Sequence, residues 1–180
     1  MLRSPRKRSR TPPAAVSLER IAELGIVGAG GGGFPTATKL ATRVSTVIVN
    51  GAECEPLLHK DKALLHHLAE PMLRGLSAAM ALVGAHTGII GIKEKYTDVM
   101  AGLAPMLPSG VGVLSLRDSY PAGDEFLLVY DAVGRVIPPG GLPKDVDTVV
   151  ANVETLVNIG LDEPVTHKYL TVAGAVRAPV

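Results

Sequence analysis

The stretch VSTVIVN, residues 44–50, best indicates the fold of this chain. Val, Ile and Thr occupy five of its seven positions, and such β-branched side chains pack well on the pleated surface of a sheet. The apolar run is continuous rather than alternating, which is typical of a strand that is covered on both faces. Residues 44–50 therefore predict a central strand of a parallel sheet.

Strand-like and helix-like segments alternate along the rest of the chain. Further strands are predicted at residues 87–92, 111–116, 148–151 and 168–176. Helices are predicted at residues 18–24, 36–42, 61–69, 71–83, 94–107, 124–133 and 153–159. This alternation predicts an α/β fold, a Rossmann-like three-layer domain with a mainly parallel sheet.

The composition is that of a folded domain with an aliphatic core. Of the 180 residues, 47% are hydrophobic and only 3% are aromatic. No uninterrupted apolar run reaches ~18 residues, so no transmembrane segment is predicted. The single Cys54 cannot form an internal disulfide or hold an iron–sulfur cluster alone, and it fits a reducing, cytoplasmic compartment. His66 and His67 are expected to be at the surface or half-buried, and no metal site is predicted.

The chain divides into a tail and a main domain. Residues 1–16 are predicted to be a disordered basic tail, because residues 1–13 carry five basic side chains and no acid. The tail has no apolar core of the kind that a secretory signal needs. Binding to nucleic acid or to an anionic surface is the alternative for such a run, but no nucleic-acid partner is expected. Residues 17–165 form the main domain.

Residues 25–39, GIVGAGGGGFPTATK, form the first candidate site. Four consecutive glycines, residues 30–33, are unsuited to the interior of a helix or strand, but their backbone N–H groups can approach a phosphate closely. Thr36 is expected to cap the helix that follows, which would add the positive end of the helix dipole. Lys39, one turn into that helix, would add a mobile positive charge.

The same glycines also match a dinucleotide fingerprint. Gly28, Gly30 and Gly33 follow the G-x-G-x-x-G pattern, and Glu53 lies twenty residues after the last glycine. Phe34 and the proline after it separate the glycines from the helix, however, and the preceding apolar run is short. These departures argue against an ordinary dinucleotide site.

Three more polar clusters follow predicted strands: NGAECEP at residues 50–56, YPAGDE at 120–125 and NVET at 152–155. In open α/β sheets, ligands bind beyond the carboxyl ends of the strands. Each cluster also has a purely structural interpretation, as a solvated acidic turn, as acids at a helix start, or as an N-cap at Asn152. Their repetition at successive strand-to-helix turns predicts one nucleotide-type pocket, in which the Asn50 amide suits the edge of a heterocycle.

The motifs GAGGGGFPTATK, NGAECEP, YPAGDE and NVETL, in this order, resemble the flavin-binding domain of the respiratory complex I 51 kDa subunit. They are similar still more closely to the C subunit of the Rnf electron-transport complex and to the cobalamin reductase of propanediol-utilisation microcompartments. The stretches PAGDEFLLVYDAVGRVIPPGGLP and PVTHKYLTVAGAV favour the cobalamin-reductase branch. The resemblance covers roughly residues 21–180.

The resemblance implies a module that binds FMN, takes hydride from NADH and passes single electrons to iron–sulfur clusters. The clusters would belong to a partner subunit or to a C-terminal region outside this chain, with no cluster on the chain itself. Residues 17–165 would be the FMN/NADH-binding domain and residues 166–180 the start of a β-grasp domain. The implied setting is cytoplasmic, at the periphery of a membrane complex or within a microcompartment.

The resemblance also implies roles for single residues, none of them a catalytic acid or base. The implied flavin contacts are the backbone of Gly28, Gly30, Gly31 and Gly33, the phosphate-neutralising Lys39, the ring-edge Asn50, and the wall formed by Gly123, Asp124 and Asn152. The implied NADH contacts are Phe34, which would stack on the nicotinamide, and the carboxylates of Glu55 and Glu125. Glu53, as a further hydrogen-bond acceptor, and Tyr120 complete the candidate set.

One departure from the complex I motif leaves an alternative open. Ala52 stands where that motif has an acid on the flavin side, a change that looks shared with the Rnf-like branch. The alternative is a degenerate nucleotide-binding module without redox activity. Cys54, inside the same motif, is expected to be a small polarisable filler rather than a reactive thiol.

Overall fold

The computed structural model describes residues 16–55 and 57–177. The predicted basic tail, apart from Val16, lies outside the described residues, as does Pro56 of the NGAECEP motif. The strands are Thr46–Asn50 (β1), Thr87–Lys93 (β2), Val111–Leu116 (β3) and Thr148–Asn152 (β4). The α-helices are Leu18–Glu23 (α1), Thr36–Leu40 (α2), Lys60–His67 (α3), Ala69–Val83 (α4), Thr97–Leu103 (α5), Glu125–Val133 (α6) and Val153–Leu161 (α7). Short 3-10 turns occur at Ala104–Met106 and Pro143–Val146.

The four strands form one sheet in the order β3-β2-β1-β4, and all pairs are parallel. The chain runs outward from β1 through β2 to β3 and then returns to place β4 on the other side of β1. The carboxyl ends of β1 and β4, where Asn50 pairs in register with Asn152, therefore form the switch point at which open α/β sheets bind ligands. The predicted fold class is confirmed.

Helices cover both faces of β1, as its continuous apolar run predicts. Val47 and Val49 belong to a large core shared with α4 and α7, whereas Ile48 faces a smaller core with Leu116 and Leu128. The second core lies under α6, so the domain has three layers. None of the helices in residues 16–55 and 57–177 combines the length and apolarity that a bilayer crossing requires.

Helices α4 and α7 pack closely because glycines stand at their contact. A Cβ atom added at Gly75 would lie 1.9 Å from the carbonyl oxygen of Leu156. One added at Gly160 would lie 1.8 Å from the carbonyl oxygen of Pro71. Only glycine permits this approach of two backbones, which fixes the start of α7 and hence the edge of the switch point.

Three local predictions need correction. Thr36 is the first residue of α2 rather than its cap, because Pro35 occupies the N-cap position and no side chain caps this short helix. The helix predicted at residues 94–107 is only Thr97–Leu103, because β2 continues to Lys93 and a 3-10 turn containing Pro105 follows. The strand predicted at residues 168–176 is wrong, since residues 168–177 form no strand.

The failed strand has a physical explanation. The propensity of β-branched residues for strands reflects packing against a neighbouring strand rather than an intrinsic backbone preference. Residues 168–171 instead make single hydrogen bonds to two helix starts: the Tyr169 N–H donates to the Glu154 carboxylate, and the Thr171 hydroxyl accepts from the backbone N–H of His59. His66 and His67, by contrast, are exposed as predicted.

Candidate functional site

A cleft of about 630 Å³ opens at the carboxyl ends of β1 and β4. It is lined by the glycine loop, by the turn after β1, by the starts of α3 and α7, and by residues 168–171. Every candidate residue from the sequence lines this cleft except Tyr120 and Asp124. The glycine loop between α1 and α2 and the three clusters that follow β1, β3 and β4 thus meet around one space.

The glycine loop is closed at its base by its own backbone. The Gly28 N–H donates to the Phe34 carbonyl at 2.8 Å, and the Gly33 N–H donates to the Gly28 carbonyl at 3.1 Å. The Ala29 N–H donates to Thr155 Oγ1 at 3.0 Å, which attaches the loop to α7. The base of the loop is therefore fixed in position before any ligand binds.

The tip of the loop, residues 30–32, presents unused donors. Its three N–H groups donate to no residue that the structure describes. Gly31 and Gly33 have φ values of +116° and +61°, which favour glycine. Successive backbone N–H groups in such a turn make an anion-binding concavity, and the half-exposed Phe34 ring stands beside them.

Lys39 reaches the cleft but is already engaged. Its Nζ donates to the Val150 carbonyl at 3.0 Å and lies 3.6 Å from the carboxylate of Glu125. The expected mobile charge is thus partly neutralised by the protein. Thr36, at the start of the same helix, is buried, and its hydroxyl has no hydrogen-bond partner among the described residues.

Asn50 joins the end of β1 to the loop before α6. Its Nδ2 donates to the Gly123 carbonyl at 2.8 Å, and its Oδ1 accepts from the Ala52 N–H at 3.2 Å. The Gly123 N–H donates to the sulfur of Cys54 at 3.0 Å. A Cβ atom at Gly123 would lie 2.0 Å from the Ala52 carbonyl oxygen, so this close crossing requires glycine.

The structure does not bring Asp124 and Tyr120 into the cleft. Asp124 caps α6, where its carboxylate accepts from the N–H groups of Phe126 and Leu127. Tyr120 is 76% exposed and lines a neighbouring cavity of about 240 Å³. For Asp124, the geometry matches the structural interpretation of acids at a helix start.

Glu53 serves the start of α3. Its two carboxylate oxygens accept from the N–H groups of Asp61, at 2.9 Å, and Lys62, at 3.3 Å. The side chain is buried and lines the cleft. A charged carboxylate at a helix start is stabilised by the helix dipole, so part of the acceptor capacity of Glu53 is used within the protein.

Lys60, which the sequence interpretation missed, is central to the floor of the cleft. Its Nζ lies 3.0 Å from Glu154 Oε2, 3.2 Å from Asp61 Oδ1 and 3.5 Å from the Ala29 carbonyl oxygen. Burial by itself would lower the pKa of Lys60, but the attraction of Asp61 and Glu154 outweighs burial and holds the pKa above its usual value. The ammonium group therefore links α3, α7 and the glycine loop.

The sequence interpretation also missed Asp61, whose charged form is disfavoured by burial in the cleft. Burial raises its pKa to about 6, although the neighbouring Lys60 acts to lower it, and the negative charge of Glu53 adds to the rise. Asp61 Oδ2 accepts from Asn152 Nδ2 at 2.7 Å. Oδ1 has no hydrogen-bond partner in the described residues, because Lys60 lies near it as an ion pair outside hydrogen-bond geometry.

The unsatisfied atoms point to a ligand. In the part of the chain that the structure describes, Thr36 Oγ1 and Asp61 Oδ1 are the buried side-chain polar atoms without a hydrogen-bond partner, and both residues line the cleft. Buried polar groups in native proteins are rarely left unpaired. The cleft thus combines unused donors, unsatisfied acceptors and an exposed aromatic ring, which suits a ligand with a phosphate and a planar ring.

The chain is similar to two kinds of bacterial oxidoreductase. It is 48% identical over 166 residues to the cobalamin reductase PduS of Citrobacter freundii, a match that covers 90% of this chain and 37% of that protein. It is 41% identical over 168 residues to the C subunit of the Na⁺-translocating ferredoxin:NAD⁺ oxidoreductase complex of Acetobacterium woodii, covering 86% of this chain and 38% of that protein. The chain thus spans little more than a third of the length of these relatives.

Solved structures and a family model point the same way. An NAD⁺-reducing [NiFe]-hydrogenase in the H₂-reduced state aligns with a TM-score of 0.69 and 28% identity, over 81% of this chain and 30% of the hydrogenase chain. The family model described as the Nuo51 FMN-binding domain matches residues 21–161. This match extends over most of the described domain, and the chain belongs to the family of the Nuo51 FMN-binding domain.

Proposed function

We propose that the chain is an FMN-binding electron-transfer module that oxidises NADH and passes electrons to iron–sulfur clusters outside the chain. The observation that carries the proposal is the tip of the glycine loop. Its three unused N–H groups stand at the switch point of the sheet, where a phosphate can accept from them. Membership of an FMN-binding family supports FMN as the ligand.

The residues present fit FMN. The volume of the cleft lies within the range of cofactor sites. One end offers backbone donors for a phosphate, and the Thr36 hydroxyl and Asp61 Oδ1 lack hydrogen bonds to the described residues, which ribityl hydroxyls or ring N–H groups can provide. FMN, when bound, supplies a centre that accepts two electrons together and releases them one at a time.

In this proposal the side chains position the flavin and the nicotinamide, and none of them reacts as an acid, a base or a nucleophile. The half-exposed ring of Phe34 offers a face on which a nicotinamide can stack. The carboxylates of Glu55 and Glu125 line the same cleft and can accept hydrogen bonds from ribose hydroxyls or from the carboxamide. Hydride transfer needs the two rings held together in the correct orientation, which is what these contacts provide.

The electron acceptor and the partners are proposed by likeness. The relatives named above are a cobalamin reductase and a component of an ion-translocating complex, and this chain covers little more than a third of each. We place the receiving iron–sulfur clusters on a partner subunit or on a C-terminal region. The setting that fits is cytoplasmic, beside a membrane complex or within a microcompartment.

The proposal is tested by adding FMN to the purified protein and recording its visible spectrum before and after anaerobic NADH. The expected result is that FMN binds, that its visible absorbance bleaches when NADH is added anaerobically, and that the reduced flavin then reduces added ferricyanide. Bound flavin that does not bleach would remove the donor assignment. Failure to bind FMN would overturn the proposal.

A degenerate nucleotide-binding module without redox activity is the second candidate. Ala52 favours it, because this buried residue lines the cleft without offering the carboxylate that the complex I motif places there. Under this alternative, a nucleotide such as NADH would bind to the protein while FMN would not. Parallel titrations with FMN and with NADH distinguish the two candidates.

A further inference from the structure

Residues 168–171 line the cleft although they lie beyond residue 161, where the match to the family model ends. Three contacts hold this part of the chain in place. The Val165 N–H donates to the Leu24 carbonyl at 3.0 Å, and Thr171 Oγ1 accepts from the His59 N–H at 3.3 Å. Between them, the Tyr169 N–H donates to Glu154 Oε1 at 3.0 Å.

The contact with Glu154 connects this segment to the glycine loop. Glu154 is only 1% exposed, and its other oxygen, Oε2, holds Lys60 at 3.0 Å. Lys60 in turn contacts the carbonyl oxygen of Ala29, at the base of the loop, at 3.5 Å. Three successive contacts therefore separate the backbone of Tyr169 from the glycine loop, and Lys168 directly precedes Tyr169.

The charges of the cleft are unevenly neutralised. Three lysines line it: Lys39, Lys60 and Lys168. The ammonium of Lys39 faces Glu125, and that of Lys60 faces both Glu154 and Asp61. Lys168 pairs with no carboxylate among residues 16–55 and 57–177. Among the three lysines of the cleft, Lys168 is therefore the one whose charge no carboxylate of the described residues neutralises, and this charge is available to a ligand.

We propose that Lys168 binds the phosphate group of the ligand whose other phosphate contacts come from the tip of the glycine loop, and that residues 168–171 form a wall of the binding cleft. The inference rests on the proposed function. The phosphate belongs either to FMN or to the diphosphate of NADH, and these two sources share the chemistry that an ammonium group recognises. Lys39, whose ammonium donates to the Val150 carbonyl, connects α2 to β4 as well.

The test is Lys168→Gln in the full chain, with dissociation constants measured for FMN, riboflavin and NADH. A charge-assisted hydrogen bond to phosphate predicts that the variant binds FMN about tenfold or more weakly, while its affinity for riboflavin, which lacks the phosphate, is unchanged. The dependence of FMN binding on salt should also become shallower. Lys144→Gln, an exposed lysine that lines neither cavity, is the matched control and should change none of these values.

The remaining outcomes are equally informative. A loss confined to NADH would assign Lys168 to the diphosphate and support the phosphate contact. Wild-type binding of FMN and NADH with both affinities unchanged in Lys168→Gln would overturn this inference and leave the proposed function standing. A wild type that binds neither ligand would overturn both. Because Lys168 is exposed, its variant should keep the wild-type melting temperature, which excludes misfolding as the cause of a loss.

Discussion

Asp61 shows how the burial of a single carboxylate makes stability depend on pH. Its pKa rises from 3.8 to about 6 on folding, so the folded state holds the proton more tightly than the unfolded chain. Stability from this group is therefore greatest at low pH and falls as pH rises from about 4 to about 6. The difference between the two pKa values corresponds to about 3 kcal/mol of stability. This stability is present below about pH 4 and is lost above about pH 6.

We expect Asp61→Asn to stabilise the ligand-free protein at pH 7.5 by about 1–3 kcal/mol. Asparagine can keep the hydrogen bond from Asn152 without a buried charge, and Lys60 keeps Glu154 as its partner. The gain should shrink towards zero at pH 4, and urea titrations across this range would measure it. Asp131→Asn, on the exposed side of α6, should show no such trend. A less stable Asp61→Asn at pH 7.5 would contradict this account.

Phe34 is the matching case of a residue for which we propose a role in binding rather than in stability. Its ring is 51% exposed at the cleft, so Phe34→Ala should change the free energy of unfolding by less than about 0.5 kcal/mol. Loss of the stacking face should slow NADH-dependent flavin reduction about tenfold. Stopped-flow absorbance would measure the rate.

Phe126→Ala provides the control for Phe34→Ala. Phe126 is similarly exposed, at 47%, but does not line the cleft. The Phe126→Ala variant should therefore reduce its flavin at the wild-type rate. Equal slowing in both variants would show that the effect comes from losing a surface aromatic ring rather than from the cleft.

At the scale of elements, the packing of α4 on α7 determines the shape of the site. Because backbone atoms occupy the space beside Gly75, we expect Gly75→Ala to cost about 3 kcal/mol or more, since the two helices would have to separate. Separation would also displace Asn152 and Glu154 at the start of α7, so FMN affinity should fall together with stability. Thermal and urea denaturation would measure the first effect and flavin titration the second.

Gly102 offers a matched substitution in another helix. It lies in α5, and a Cβ atom there would meet nothing within 4 Å. Gly102→Ala should therefore stabilise the protein by about 0.5–1 kcal/mol, which is the usual gain from replacing an exposed helical glycine. Opposite signs for the two glycines would establish that close contact, rather than helix propensity, decides the effect at Gly75.

The sequence predicts elements better than it predicts contacts. Strand β1 is predictable because the β-branched run at residues 44–50 reflects burial on both faces. Lys60, Asp61 and Glu154 are not, because charged residues in the first turn of a helix look the same whether they are solvated or buried. Residues 168–171 show the reverse error, since their apolar and β-branched pattern needs a partner strand that the described residues do not supply.

At the scale of the whole molecule, the cleft is assembled from parts distant in sequence. The tip of the glycine loop is predictable from its motif, but its setting depends on a chain of contacts through Ala29, Lys60 and Glu154 to Tyr169. No local pattern encodes such a chain, because its links join residues that are 31, 94 and 15 positions apart in the sequence. When a ligand binds in the cleft, we therefore expect the glycine loop and the segment at Tyr169 to gain protection from hydrogen exchange together.

Hydrogen exchange tests this coupling. Binding of FMN at a hundredfold excess over its dissociation constant should stabilise the folded protein by about 2.7 kcal/mol. Beyond this global effect, the N–H groups of residues 30–32 should gain protection because they acquire an acceptor, and the Tyr169 N–H should gain protection because its anchor, Glu154, is held more firmly. The exposed Leu127 and Tyr130 side of α6 lies outside the cleft and should show only the global change. Protection confined to the glycine loop would mean that residues 168–171 move independently of the ligand, and the cleft would then have one wall fewer than the structure assigns to it.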